Sequence, residues 1–321
     1  MQQLKSVTVF GGDGFIGRYV VRELAKTGAM VQVACRHLQR AKRCQPSGDV
    51  GQITPIYCDI RDDVQVRKAL RTADAAVNLT GILYEKGRNS FTEVHHKGAK
   101  NVAEICRQLG INKLVHLSAL GASEKSISKY ARSKAQGERA VFRQVPEAVV
   151  LRPSIVFGSE DNFFNRFAVM AKISPALPLI GEGRTMFQPV YVDDVARAVV
   201  AGLTDPTLAG QIYELGGPKT YSYKELMELI LKEIGADRSL VNVPFGLASF
   251  KAWFAQFMPD PLITPDQVRL LKVDNIVGNS AKMLGDMGVA PTALEMILPT
   301  YLYRFRDQGP WANTGSNKAA A

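Results

Sequence analysis

The stretch Val7-Thr8-Val9-Phe10-Gly11-Gly12-Asp13-Gly14-Phe15-Ile16-Gly17 breaks a β-branched apolar run with glycines and then resumes with helical periodicity. It reads as strand, phosphate-binding turn and helix, the helix running from Phe15 to Thr27. Gly11 suits a tight turn, Gly14 lets the main chain approach a pyrophosphate, and Gly17 lets the helix pack close to the strand. The helix N-terminus then faces the phosphates, with Phe15 and Ile16 in its first turn. The amino-terminal part of the chain is expected to bind a nucleotide.

The end of the next strand, Met30 to Arg36, selects among nucleotides. Sites that prefer NAD place an acid about 20 residues past the glycines to hold the ribose 2′-hydroxyl. Here Arg36 stands instead, and Arg40, Lys42 and Arg43 follow within one or two helical turns. A guanidinium suits a 2′-phosphate, so NADPH (NADP) is the expected cofactor, with Arg36 carrying the preference and Arg40 beside it. Arg40, Lys42 and Arg43 read equally well as a solvated basic face.

Alternating apolar runs and helical patterns fill the first half of the chain. Strands are expected at Val7 to Phe10, Val31 to Ala34, Ile53 to Cys58, Ala75 to Leu79, Leu114 to Leu117 and Val149 to Leu151. Helices fall near Asp63 to Arg71, Phe91 to Leu109 and Lys129 to Gln144. This is a Rossmann-type doubly wound parallel sheet in the order 3-2-1-4-5-6, with the site at the carboxyl ends of the strands. It should occupy residues 1–158, with 187–204 returning to it, and 159–306 should form a smaller C-terminal α+β lobe. Residues 307–321 lack periodicity and are expected to be a flexible tail.

Composition is that of a soluble domain protein: 321 residues, 46% hydrophobic, 22% charged. The net charge of +10 suits an acidic partner or an anionic membrane surface and is too evenly spread for a nucleic-acid stripe, so no nucleic-acid partner is expected. The four cysteines lack zinc-site or disulfide spacing, which points to a reducing compartment. Met1 to Ser6 lead straight into the first strand, so neither signal nor transit peptide is expected.

Tyr130 and Lys134 lie four residues apart on one face of a predicted helix. An ammonium near a phenol favours the phenolate, so the pair is expected to lower the tyrosine's pKa toward an acid/base value.

At this point the chain resembles the short-chain dehydrogenase/reductase superfamily, in its extended or atypical branch, from about Val7 to Leu203. The matching pieces are the glycine turn, Cys58-Asp59-Ile60, Leu79-Thr80-Gly81, Tyr130 with Lys134, Leu151 to Gly158, and Pro189 to Ala196. The resemblance implies that Asp59 and Ile60 lie on the adenine side and Leu79 and Thr80 at the end of the fourth strand. It implies further that Lys134 holds the nicotinamide ribose, Tyr130 serves as acid/base, and Pro153 and Ser154 border the nicotinamide. Where active members carry a hydroxyl that holds the substrate oxygen, this chain has Leu120, with Ser118 nearer the strand and Ser123 as the alternative donor. Loss of such a donor slows turnover by two or three decades, about 3 to 4 kcal/mol, and leaves cofactor binding alone. Tyr130 and Lys134 would then be vestigial catalytic residues that hold cofactor. The asparagine expected in the fourth helix is replaced around His95-His96, where one packed and one exposed histidine are expected and no metal site.

Ser118 to Ala122, Lys129 to Glu138, Pro153 to Asn165 and Gln188 to Val195 narrow the likeness. They are similar to the NADPH-binding accessory subunits of respiratory complex I, the alpha subcomplex subunit 9 type. That implies a non-catalytic, peripheral subunit near the quinone site, on the cytoplasmic face of a bacterial inner membrane or the matrix face of a mitochondrial one. Its partners would be other complex I subunits. The alternative is an active NADPH-dependent reductase or epimerase on a nucleotide sugar, sterol or quinone precursor.

The segment 245–258 holds Phe245, Leu247, Phe250, Trp253, Phe254, Phe257 and Met258, with Lys251 as the only charge. As a helix it measures about 21 Å, too short to span a membrane. It is expected either to lie against a partner or the membrane surface, or to be wholly buried in the smaller lobe.

Overall fold

Val7, Val9 and Phe10 are fully buried, as a strand covered on both faces of a parallel sheet requires. A computed structural model describes residues 4–255 and 263–306, in two compact units. The first comprises the described residues up to Ser154 together with Val192–Gly216 and Val277–Pro291. Its elements run β1 (Ser6–Phe10), α1 (Phe15–Lys26), β2 (Met30–Cys35), β3 (Ile53–Tyr57), α2 (Asp63–Leu70), β4 (Ala75–Asn78), α3 (Ala99–Gln108), β5 (Lys113–Leu117), α4 (Lys129–Gln144), β6 (Val149–Pro153), α5 (Val192–Thr204) and β7 (Ile212–Leu215).

All strands pair in parallel in the order β7-β6-β5-β4-β1-β2-β3. The expected Rossmann order is present, and a seventh strand extends it. The sequence reading placed residues 211–215 in the smaller lobe. Instead Val150 donates to Gln211 O at 3.0 Å and Gly210 to Glu147 O at 3.0 Å, drawing β7 onto the outer edge of β6. Residues 277–291 also return to this unit, where Glu214 donates its amide to Lys282 O at 2.8 Å. Both segments cover a sheet edge that would otherwise expose unpaired main chain.

The helix expected from Phe91 to Leu109 is not uniform: Thr92–Gly98 is wound as a π-helix before α3 begins. Two glycines permit the close packing there. A Cβ on Gly137 of α4 would lie 2.3 Å from His95 O, and one on Gly98 would lie 2.3 Å from Ile60 Cδ1.

The second unit comprises Ile155–Tyr191, Gly217–Ile276 and the described residues from Thr292 on. Its core includes Phe157, Phe164, Leu226, Met227, Ile230 and Leu298. The helix Tyr223–Ile234 opens on a Ser222/Glu225 capping box and ends at Gly235 in the left-handed conformation (φ 65°). The helix Phe245–Ala255 buries Ala248 and Ala252, while Leu247, Phe250 and Trp253 are 47%, 62% and 53% exposed. It is therefore not wholly buried. Residues 256–258 of the expected apolar helix and the expected tail 307–321 lie outside the described residues.

Candidate functional site

Gly11 bonds back to Ala34 O on β2 at 2.9 Å and takes a positive φ of 76° that an L side chain rarely adopts. Gly17 is closer still to its surroundings: a Cβ there would lie 2.4 Å from Gly11 O. Between them Gly14 is exposed and opens α1, with no capping side chain and no acid in the first turn, where Phe15 and Ile16 are half-buried. The positive end of α1 therefore meets an open turn.

Beside the turn, the loop after β4 carries Leu79 and Thr80. Leu79 donates its amide to Phe10 O at 3.0 Å, and Thr80 donates its amide to Asn78 Oδ1 at 3.1 Å. Thr80 Oγ1 and Ser118 Oγ, the latter just past β5, are buried without a hydrogen-bond partner. Buried hydroxyls in proteins are nearly always paired, so these two are free to bond an ordered water or a ligand.

Ser128 caps α4, accepting from the Ala131 amide at 3.2 Å, and this places Tyr130 and Lys134 on the face toward β5. Lys134 is buried and donates Nζ to Leu117 O at 3.0 Å. Burial lowers its pKa to about 8. Its Nζ lies 6.0 Å from the Tyr130 ring centroid, and burial pushes the Tyr130 hydroxyl up to about 12. The expectation of a tyrosine lowered toward acid/base use is not met: burial disfavours the phenolate and raises the hydroxyl instead. Leu120, where the resemblance expects a hydroxyl, is buried and donates its amide to Pro153 O at 3.0 Å. Ser154 is buried and donates its amide to Leu215 O at 2.9 Å.

Two histidines that the sequence reading did not assign to the site complete its floor. His95 Nε2 accepts from the Ile82 amide at 3.0 Å, so Nδ1 carries the proton and donates to Ser133 Oγ at 2.9 Å. Its ring stacks on Phe91 and meets Tyr130 edge-on at 5.3 Å between centroids. His116 on β5 pairs with Asn78 Nδ2 at 3.3 Å, and its Nε2 is buried without a partner. Burial, reinforced by the Lys134 charge, lowers His95 to about 2 and His116 to about 3, so both are neutral. His96 is half-buried, and among the described residues no His, Cys, Asp or Glu cluster is arranged to hold a metal. Only the apolar spacing around His95 hinted at its packed position.

At the other end of the turn, Arg36 is exposed and donates Nη1 to Asn89 Oδ1 at 2.8 Å. Asp59 is gripped by Arg61, Nε to Oδ1 at 2.9 Å and Nη2 to Oδ2 at 2.5 Å. That hydrogen bonding holds the Asp59 carboxyl below the usual carboxylate range, with Arg36 adding to it. Ile60 is buried and its carbonyl accepts from Asn101 Nδ2 at 2.8 Å. Arg40, on the turn Leu38–Ala41, is exposed.

The NAD dependent epimerase/dehydratase family matches residues 7–216 of this chain. NADH dehydrogenase (ubiquinone) 1 alpha subcomplex subunit 9, mitochondrial, from Arabidopsis thaliana is 38% identical over 96% of this chain and 79% of its own. The protein of that name from Mus musculus is 34% identical over 93% of this chain and 80% of its own. The crystal structure of a dTDP-glucose 4,6-dehydratase from Streptomyces venezuelae, with NAD and TYD bound, superposes with a TM-score of 0.72 at 22% identity, covering 94% of this chain and 96% of that one. The glycine turn, the parallel sheet and these likenesses agree: the chain belongs to the NAD dependent epimerase/dehydratase family and, within it, to the family of the complex I alpha subcomplex subunit 9.

Proposed function

We propose that this protein is a non-catalytic accessory subunit of respiratory complex I that holds NADPH in its first unit. The observation that carries the reading is the contrast between an open phosphate turn at Gly11–Gly17 and a reaction site with Leu120 in place of a hydroxyl. The relatives' names support the complex I assignment.

The residues present fit a dinucleotide. The turn and the start of α1 would take the pyrophosphate, with Phe15 and Ile16 lending main-chain amides. Arg36, with Arg40 near it, would meet the 2′-phosphate, and Asp59 and Ile60 would border the adenine. The orphaned hydroxyls of Thr80 and Ser118 would gain partners, with Leu79 beside them. Lys134 and Tyr130 would hold the nicotinamide ribose, and Pro153 and Ser154 would border the nicotinamide. NADPH, when bound, supplies a hydride donor. The chain's own residues bind and orient it without a hydroxyl at position 120 to polarise a substrate carbonyl.

No described helix is long and apolar enough to cross a membrane. The exposed Leu247, Phe250 and Trp253 suit a peripheral contact with the membrane surface or a neighbouring subunit. In this reading the protein supports assembly and stability near the quinone site, on the cytoplasmic or matrix face.

Purification from the native source tests the assignment. Comigration with a quinone-reducing membrane complex, with NADPH retained, is expected. Recovery as a free protein that oxidises NADPH in a substrate-dependent way would establish the reductase alternative instead.

A further inference from the structure

Arg61 is bonded to Asp59 and the Arg36 charge also acts on that carboxylate, and the sequence reading assigned only Arg36 to the site. Arg61 grips the carboxylate with Nε, Nη2 and its own main-chain amide, the last at 3.1 Å. Its remaining terminal nitrogen, Nη1, donates to Arg88 O at 2.8 Å. Arg88 lies in a tight hairpin in which Lys86 and Asn89 exchange main-chain hydrogen bonds at 3.0 Å across Gly87. From the same hairpin Asn89 Oδ1 accepts from Arg36 Nη1 at 2.8 Å. Arg61 and Arg36 thus pin one hairpin from two sides, at the ends of β3 and β2.

The chemistry of this arrangement is directional. An unpaired carboxylate at Asp59 would repel a 2′-phosphate brought to Arg36, and the Arg61 fork cancels that charge. Arg36 is held by a neutral amide oxygen, the weaker kind of acceptor, which a phosphate oxygen displaces with a charge-assisted bond about twice as strong. Arg61 has a planar guanidinium, and its side chain is 23% exposed in the same neighbourhood.

We propose that Arg61 is a specificity-determining residue for NADPH over NADH: it is the second cation of the 2′-phosphate site, neutralises Asp59 beside it, and anchors the Lys86–Asn89 hairpin that holds Arg36 ready. The proposal rests on the reading that the glycine turn holds NADPH.

Titration of the full-length wild type, R61Q, R61K and D59N/R61Q with NADPH and with NADH tests it, with thermal unfolding as the check on folding. The wild type is expected to bind NADPH more tightly than NADH. R61Q is expected to lose about tenfold or more in NADPH affinity and less than about twofold in NADH affinity, with R61K between. D59N/R61Q leaves no carboxylate unpaired and is expected to keep the NADPH deficit; recovery to wild-type affinity would overturn a direct role for Arg61. A wild type that binds NADH as tightly as NADPH would overturn the underlying NADPH reading. A wild type that prefers NADPH, with R61Q weakened equally toward both nucleotides or toward neither, would overturn the role of Arg61 alone. Should R61Q fail to fold, R61K decides: it keeps the charge but not the fork, and unchanged discrimination in R61K overturns the proposal.

Discussion

Lys134 donates its buried Nζ to the main-chain oxygen of Leu117 at 3.0 Å, which fixes a cation at the C-terminal end of β5. The same ammonium lies 3.4 Å from where a side chain on Gly81 would begin, so α4 and the loop after β4 meet around one charge.

That charge titrates within reach of experiment. Burial lowers Lys134 from 10.5 to about 8, so the folded protein sheds the proton before the unfolded chain does. Between those two values the unfolded state binds more protons, and this group's contribution to stability rises with pH. In the proposed reading the ammonium holds NADPH, and NADPH affinity should then move the other way and weaken as pH rises through about 8. Titrations across that range should show the decline in the wild type and a flat, roughly tenfold weaker profile in K134M.

Gly17 is the most demanding position of the turn. In G17A the added Cβ would sit 2.4 Å from Gly11 O, so the turn must open or α1 must move off β1. The expected result is loss of nucleotide binding with destabilisation of about 1 to 3 kcal/mol, the range for overpacking, measured by calorimetric titration and thermal melts.

The buried histidines set the acid limit. His95 and His116 are lowered from 6.5 to about 2 and about 3, so both stay neutral in the fold while the unfolded chain takes up protons below 6.5. Their contribution is fully present above 6.5 and is lost as pH falls toward the folded values, by up to about 1.4 kcal/mol per pH unit for each histidine. Urea melts from neutral to acid pH should show a shallower loss in H116Q than in the wild type.

Much of the first unit's fold was legible in the sequence because parallel strands buried on both faces leave uninterrupted apolar runs, and Gly11–Gly17 interrupts the first of them. The helix Tyr223–Ile234 carries local signals too, its apolar spacing and its Ser222/Glu225 box. What escaped notice depended on distant pairing. Nothing local in Ile212–Leu215 shows that it joins β6, and nothing in Thr92–Gly98 announces a π-wound turn. The bond between Arg61 and Asp59 and the clasp of Arg36 by Asn89 are matters of loop geometry, with no periodic signature. The Tyr130–Lys134 spacing was read correctly as a shared helix face, yet the expected drop in the tyrosine's pKa failed because burial acts on the phenolate.

The exposed face of the helix Phe245–Ala255 bears on peripheral attachment. Trp253 is 53% exposed on a helix whose Ala248 and Ala252 are buried. In W253E, sedimentation with anionic vesicles and recovery in the membrane-bound complex should both fall, while NADPH binding is unchanged. Unaltered recovery on both counts would remove this face from the attachment.

Whether the nucleotide is a fixture or a reagent is decided most directly by its content in protein isolated within its native complex. Extraction and chromatography before and after quinone turnover should return NADP(H) stoichiometric with the chain and unchanged by turnover. Recovery of NAD(H), of no nucleotide, or of NADPH oxidised in step with a substrate would contradict the account.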